Sequence, residues 1–259
     1  MKIISLLENT AADPRLGAEH GLSLYIEACG RKILMDTGET DLFAANAETL
    51  GVDLSQVDLA VLSHGHFDHA GGLQRFMEIN DKAKIYVSQF AFDEYRDAKD
   101  KYIGVDPALH GNDRFVMVGE ELSLGEGLTL YACNDREKTV DMGSCGLTMV
   151  RDGVTSPDDF RHEQYLLIEE NGKRVLISGC SHKGIVNIMH WFAPDVLVGG
   201  FHFFPLALDD TLLGYARALA EFPAEYYTCH CTGAEPYACL KSRMGEQLQY
   251  LSVGTQITI

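Results

Sequence analysis

Short apolar runs alternate with amphipathic stretches along the whole chain. "KIISLL" opens it, and "GLSLYIEACGRKILMDTG" follows a loop containing Gly, Asp and Pro. The second run predicts two strands that turn at Gly30-Arg31. "ETDLFAANAETLG" has helical spacing, with Thr40 placed to cap its start and Gly51 just past its end. "VDLAVLS" predicts a strand, "AGGLQRFMEIN" a helix and "KIYVS" another strand. The second half repeats this logic. "EELSLGEGLTLYAC" predicts a strand pair, and "EQYLLIEENGKRVLIS" a hairpin turning at Asn171-Gly172. Helix "KGIVNIMHWF", strand "DVLVGGF", helix "DTLLGYARALAEF", strand "EYYTC" and helix "EPYACLKSRMG" complete the pattern. Runs rich in β-branched residues predict buried sheets, and two such halves predict an α/β sandwich of two sheets with helices outside, in one domain over 1–259. Residues 89–115 break the rhythm. They are polar and poorly periodic yet carry aromatic residues, which predicts an insertion or lid.

Charge and cysteine usage narrow the function classes. A formal net charge of −17 repels phosphate backbones, so a nucleic-acid partner is not expected. No window is long and apolar enough for a membrane span. Glu8 and Asp13 interrupt the first apolar run, so it predicts a strand and not a secretion signal, and with it a cytoplasmic location. The seven cysteines form an odd set without the spacing of a disulfide framework, and read as reduced thiols. Cys180, Cys229 and Cys231 stand out because histidines flank them.

The densest chemistry lies in "VLSHGHFDHAGG", Val61 to Gly72. His64 and His66 are two apart, so on an extended segment both point to one side. Asp68 and His69 follow on the turn into the next helix. Two neighbouring clusters result, able to hold two cations. Imidazole with carboxylate suits zinc, iron or manganese better than calcium. Gly71 and Gly72 are expected to let the backbone turn tightly beside them. A solvated polar loop is the competing reading, and three imidazoles with a carboxylate at one strand end favour the metal.

H-x-H-x-D-H, as His64, His66, Asp68 and His69, resembles the signature of the metallo-β-lactamase superfamily. The likeness runs from "DTG" at Asp36 through the last histidine motif. It implies a four-layer αββα sandwich with a dinuclear metal site at one edge of the sheets. It also implies further ligands. His162 stands before a predicted hairpin, where the family has a histidine. The family's bridging aspartate falls at "ISGCSH", where this chain has Cys180; the thiol ligates, stands by, or cedes the place to His182. His202 in "VGGFHFF" and His230 in "TCHCTG" both end apolar strands as a last ligand should. His230 is preferred as ligand and His202 as a substrate contact, with Gly199-Gly200 leaving open backbone for the substrate. The implied sets are His64, His66 and His162 for one ion, and Asp68, His69 and His230 for the other, with Cys180 beside them. Asp36 is expected to accept a hydrogen bond from a ligand imidazole. His20 either faces the site or, as is commoner for a lone loop histidine, is solvated, and His110, His190 and Cys239 read as structural or exposed.

"HEQ", "GCSHKGIVNI", "GGFHF" and "CHCTG" are similar to a subgroup of dihydropterin-type synthases, which join a dihydropterin methyl group to a ribofuranosyl-aminobenzene phosphate. Three functions follow. The first is a hydrolase of a small anionic ester or phosphate. It would use two divalent transition-metal ions, zinc before iron or manganese, to activate water, with Asp68 orienting it and His202 and Lys183 stabilising negative charge. The second is the transferase, with Phe90, Phe92, Tyr95, Tyr102, Phe203 and Phe204 available to stack a pterin. The third is a metal or thiol redox protein built on Cys180 and "CHC". Oligomeric state has no signal in the sequence.

Overall fold

A computed structural model describes residues 1–259. Two seven-stranded sheets stand face to face. The first runs Gln256–Thr258, Lys2–Leu7, Ser23–Ala28, Arg31–Met35, Leu59–Val61, Lys84–Ser88, Phe115–Val118. The second runs Leu248–Tyr250, Glu225–Thr228, Val196–Gly199, Lys173–Ile177, Tyr165–Glu170, Leu128–Tyr131, Glu121–Gly125. Each joins antiparallel hairpins to a parallel half whose strands are linked through helices, except Lys84–Ser88 and Phe115–Val118, which the irregular 89–114 segment connects.

Three apolar layers hold the sandwich together. Between the sheets, Leu24, Ile33 and Val61 pack in one cluster with Leu166, Val175 and Val198. Helices Leu42–Thr49 and Leu73–Ile79 bury Phe43 and Phe76 on the outer face of the first sheet. Helices Ile185–Phe192, Asp210–Ala220 and Ala234–Met244 bury Ile188, Leu212 and Leu240 on that of the second. Alternating side chains serve two layers at once, which is why these strands read as nearly continuous apolar runs. The architecture is the αββα sandwich expected.

Local differences have local causes. The first hairpin turns on Cys29-Gly30 (φ +50° and +69°), one residue before the expected place, while Asn171-Gly172 (+53° and +75°) turns as expected. A small third sheet of Val154–Pro157, Thr148–Arg151 and Glu94–Arg96 has no counterpart in the sequence reading. Its hairpin turns on Asp152-Gly153, and the irregular 89–115 segment supplies its third strand. No helix is long and apolar enough to cross a membrane, and all seven cysteines are free thiols.

Candidate metal centre

The chemistry collects where the parallel strands end. Asp36 follows Arg31–Met35, and Ser63 to His69 follow Leu59–Val61. Cys180 and His182 follow Lys173–Ile177, His202 follows Val196–Gly199, and His230 follows Glu225–Thr228. Carboxyl ends of parallel strands are where open α/β sheets bind ligands. Asp36, Ser181, His202 and His230 all have positive φ, between +48° and +61°. Each such non-glycine residue costs about 1–3 kcal/mol. At these four positions the strain sits in the turns that aim ligand-type side chains.

One seat is built from three neutral imidazoles. The ligand-type atoms of His64, His66 and His182 lie within 4.8 Å of one another, all buried. The Ser63 hydroxyl donates to Asp36 Oδ2 (2.7 Å), so the contact at 2.8 Å is a donation from His64 Nδ1 to Ser63 Oγ. That leaves the His64 Nε2 lone pair free. His64 Nε2, His66 Nε2 and both ring nitrogens of His182 have no hydrogen-bond partner. Burial lowers all three pKa values, those of His64 and His182 well below the usual imidazole range. Neutral imidazole is the form a metal requires, and unpartnered buried nitrogens are costly unless something binds them. The donor set fits a transition-metal ion.

The second seat adjoins it. His69 Nδ1 donates to Asp36 Oδ2 (2.7 Å), and His230 Nδ1 to Asn9 Oδ1 (2.8 Å). Two Nε2 lone pairs therefore face each other at 3.2 Å, which is repulsive unless a proton or cation lies between them. Asp68 Oδ2 stands 3.8 Å from His69 Nε2 and 3.4 Å from His230 Nε2. Cys180 Sγ stands 3.2 Å from His69 Nε2. Burial opposes charge on His69, but Asp36 and Asp68 outweigh it and raise the imidazole to about 9. Burial also works against the Asp68 carboxylate, yet His69, His20 and His230 hold it well below the usual carboxylate range. The pocket thus favours positive charge at this point.

Outer contacts fix these groups. Asp36 takes the place expected of it, and also accepts the Ser63 amide through Oδ1 (2.6 Å). Buried Glu8 accepts from the His230 amide (3.0 Å) and the Tyr250 hydroxyl (2.9 Å). Asn9 donates to His20 Nδ1 (3.3 Å), which directs His20 Nε2 toward Asp68 Oδ2 at 3.2 Å. His20, half-exposed, is therefore a wall of the site. Glu8 and Asn9 escaped the sequence reading; their only signal is a polar pair closing the apolar run "SLLEN".

Sulfur lines a third corner. Cys180, His202 and Cys231 bring ligand-type atoms within 4.8 Å of one another, and the His202 amide donates to Cys231 Sγ (3.2 Å). Burial pushes the Cys180 thiol well up. A cavity of about 310 Å³ opens beside both seats, lined by His66, Asp68, Cys180, His182, His202 and His230 among others. A larger hollow of about 640 Å³, between Asp41, Glu48, Leu54 and Arg75, lacks histidine and cysteine.

Several expectations are corrected by this geometry. His162 accepts from the Gly65 amide at Nδ1 (2.9 Å) and meets Asp158 Oδ2 with Nε2 (3.1 Å), so neither nitrogen is free for the seat beside His64. His182 stands there instead. Lys183 does not reach the cavity. It is 2% exposed, and its Nζ donates to the Ala132 and Glu163 carbonyls and to Asn134 Oδ1. Burial lowers it to about 8. Lys183→Met is therefore expected to lower stability by about 1–3 kcal/mol, since buried acceptors lose their donor, with metal content unchanged; thermal melts and elemental analysis check both. Among the aromatic residues named for stacking, Tyr95 and Phe203 are fully buried, and Phe204 alone lines the cavity. Gly199-Gly200 leave no opening for substrate, because the Ser178 carbonyl and Cys231 Sγ fill that space. Gly71 and Gly72 make the two-residue turn between Phe67–Ala70 and Leu73–Ile79 as expected, and their missing side chains also admit the Glu39 and Thr37 carbonyls.

Comparisons with known proteins agree with the fold. The 7,8-dihydropterin-6-methyl-4-(β-D-ribofuranosyl)-aminobenzene-5'-phosphate synthase of Methanocaldococcus jannaschii is 29% identical over 98% of this chain and 95% of its own. The crystal structure of Tm1679, a metal-dependent hydrolase of the β-lactamase superfamily, superposes with a TM-score of 0.87 at 27% identity, covering 100% of this chain and 99% of the other. Zn²⁺-bound PqqB from Methylobacterium extorquens shares the fold, with a TM-score of 0.60 at 12% identity over the full length of both chains. Residues 16–221 match the metallo-β-lactamase superfamily, and with both sheets, the H-x-H-x-D-H turn and the strand-end clusters in place, the chain belongs to that superfamily.

Proposed function

We propose that the protein is a dinuclear metal-dependent hydrolase of a small anionic ester or phosphate-type metabolite. The observation that carries it is the pair of adjoining seats on one cavity floor: unpartnered His64, His66 and His182, and converging Asp68, His69 and His230. Zinc suits the nitrogen-rich donors best, with iron or manganese compatible. When bound, two such ions lower the pKa of water and polarise a carbonyl or phosphoryl oxygen. Asp68, fixed by His20, accepts a hydrogen bond from the attacking water and orients it. His202, whose Nδ1 has no partner, donates to the negative charge that develops on the substrate. Cys180 completes the second seat from the sulfur side.

The identity with the dihydropterin-type synthase favours a second reading, a transferase that uses the same seats for a diphosphate leaving group. Product analysis with a dihydropterin diphosphate and its aminobenzene co-substrate separates the two, because only the transferase joins the pterin methylene carbon to the amine nitrogen as diphosphate leaves. The primary test is elemental analysis of metal-replete protein alongside turnover of bis(4-nitrophenyl) phosphate and 4-nitrophenyl esters. Fewer than one ion per chain removes both readings. His230→Ala is expected to lose one of two ions, and His202→Ala to keep both while losing about 10²-fold in turnover. The reverse pattern of metal content would exchange their roles.

A further inference from the structure

The cavity is lined by more than the seats. Phe67, Ile103, Leu147 and Phe204 give it apolar walls, and Asp97 and Lys101 stand at its margin. Phe204 is 53% exposed, and its ring meets that of His202 edge-on with centroids 5.3 Å apart. Lys101 is the one lysine or arginine among the lining residues, in a chain of net charge −17.

This lysine is held in place by its backbone. Asp97 Oδ1 accepts its amide (2.9 Å), and its carbonyl accepts the Asp97 amide (2.9 Å). Its ammonium lies over the Phe67 ring, 5.1 Å from the centroid. The ion pairs of this segment run from Arg96 to Glu94 and Asp100 and leave Lys101 out. The segment is tied to the metal motif, because the Phe67 amide donates to the Ile103 carbonyl (2.8 Å). The Asp97 carboxylate is turned onto the amides of Lys99 and Lys101, so it does not neutralise that ammonium as a contact partner.

The geometry points to Lys101 as a specificity-determining residue that binds an anionic group of the substrate remote from the bond being cleaved. On the reading proposed above, the substrate is amphipathic. Its reacting group lies over the seats, an apolar body rests between Phe67, Ile103, Leu147 and Phe204, and a second anion meets Lys101.

Calorimetric binding of phenylphosphonate and 4-carboxyphenylphosphonate to the zinc-loaded protein tests this. The phosphonate addresses the seats, the ring the apolar walls, and the carboxylate Lys101. The carboxylated ligand is expected to bind about fivefold more tightly, the scale of one partly screened charge pair. Raised salt should shrink the preference. Lys101→Ala should abolish it and Lys101→Glu invert it, with phenylphosphonate affinity unchanged by the alanine. A preference that survives in both variants, or none in the parent protein, overturns the inference while leaving the metal reading intact. Failure of both ligands to bind zinc-loaded protein overturns the metal reading and the inference together.

Discussion

His182→Ala is expected to strip one metal ion from the protein, while His162→Ala leaves metal content intact. In the structure His182 is buried beside His64 and His66 with neither ring nitrogen satisfied. A neutral polar group so placed costs on the order of 1–3 kcal/mol without a partner, and a cation shared with two further imidazoles supplies one. His162 needs nothing more, since the Gly65 amide and Asp158 occupy both of its nitrogens. Losing one of three protein donors should weaken the ion by more than the ~10–100-fold typical of a lost outer hydrogen bond. Competition with a chromophoric chelator, followed by elemental analysis, measures it. The apparent melting temperature should fall as well, because binding to the folded state alone adds stability by mass action. Retention of the ion in His182→Ala, with loss in His162→Ala, would restore the assignment made from the sequence.

That contrast shows what one sequence discloses here. His64, His66, Asp68 and His69 are legible because a single strand-to-helix turn contains them all, so their spacing nearly dictates their geometry. His162 and His182 are not separable in the same way. They flank a hairpin, one before Tyr165–Glu170 and one after Lys173–Ile177, and the antiparallel pairing carries both to one sheet edge. Tertiary contacts then decide between them: Asp158 and Gly65 claim the first, and the positive φ at Ser181 sets the approach to the second. The layers were readable from apolar runs and the Asn171-Gly172 turn. The small sheet was less so, although Asp152-Gly153 carried a turn signal. Its Glu94–Arg96 strand spans only three residues, too few for their alternation to mark a strand. Glu8 and Asn9 act on His230 from the far end of the chain, and no local pattern encodes that contact.

Asp36 links fold and chemistry most directly, and its two simplest variants should fail differently. The residue has φ +61°, a conformation that aspartate and asparagine tolerate and alanine does not favour. Its carboxylate accepts three donors in a site without solvent: the Ser63 amide, the Ser63 hydroxyl and His69 Nδ1. Asp36→Ala leaves those donors buried and unpaired and strains the turn. The expected cost is about 3–5 kcal/mol, the range for removing one member of a buried charged network, seen as a large drop in denaturant midpoint. Asp36→Asn keeps the turn but exchanges one acceptor oxygen for an NH₂ group. If that group faces His69, Nδ1 can no longer donate, and the ring proton moves to Nε2, the atom aimed at His230 and Asp68. A proton there competes with a cation for the lone pair. The asparagine variant should therefore fold close to the parent in stability yet bind its second ion about 10–100-fold more weakly. Long-range ¹H–¹⁵N correlation spectra of the imidazoles would report the tautomer directly. An asparagine variant with parental metal affinity and an unchanged His69 tautomer would reduce Asp36 to a brace for the Ser63 turn.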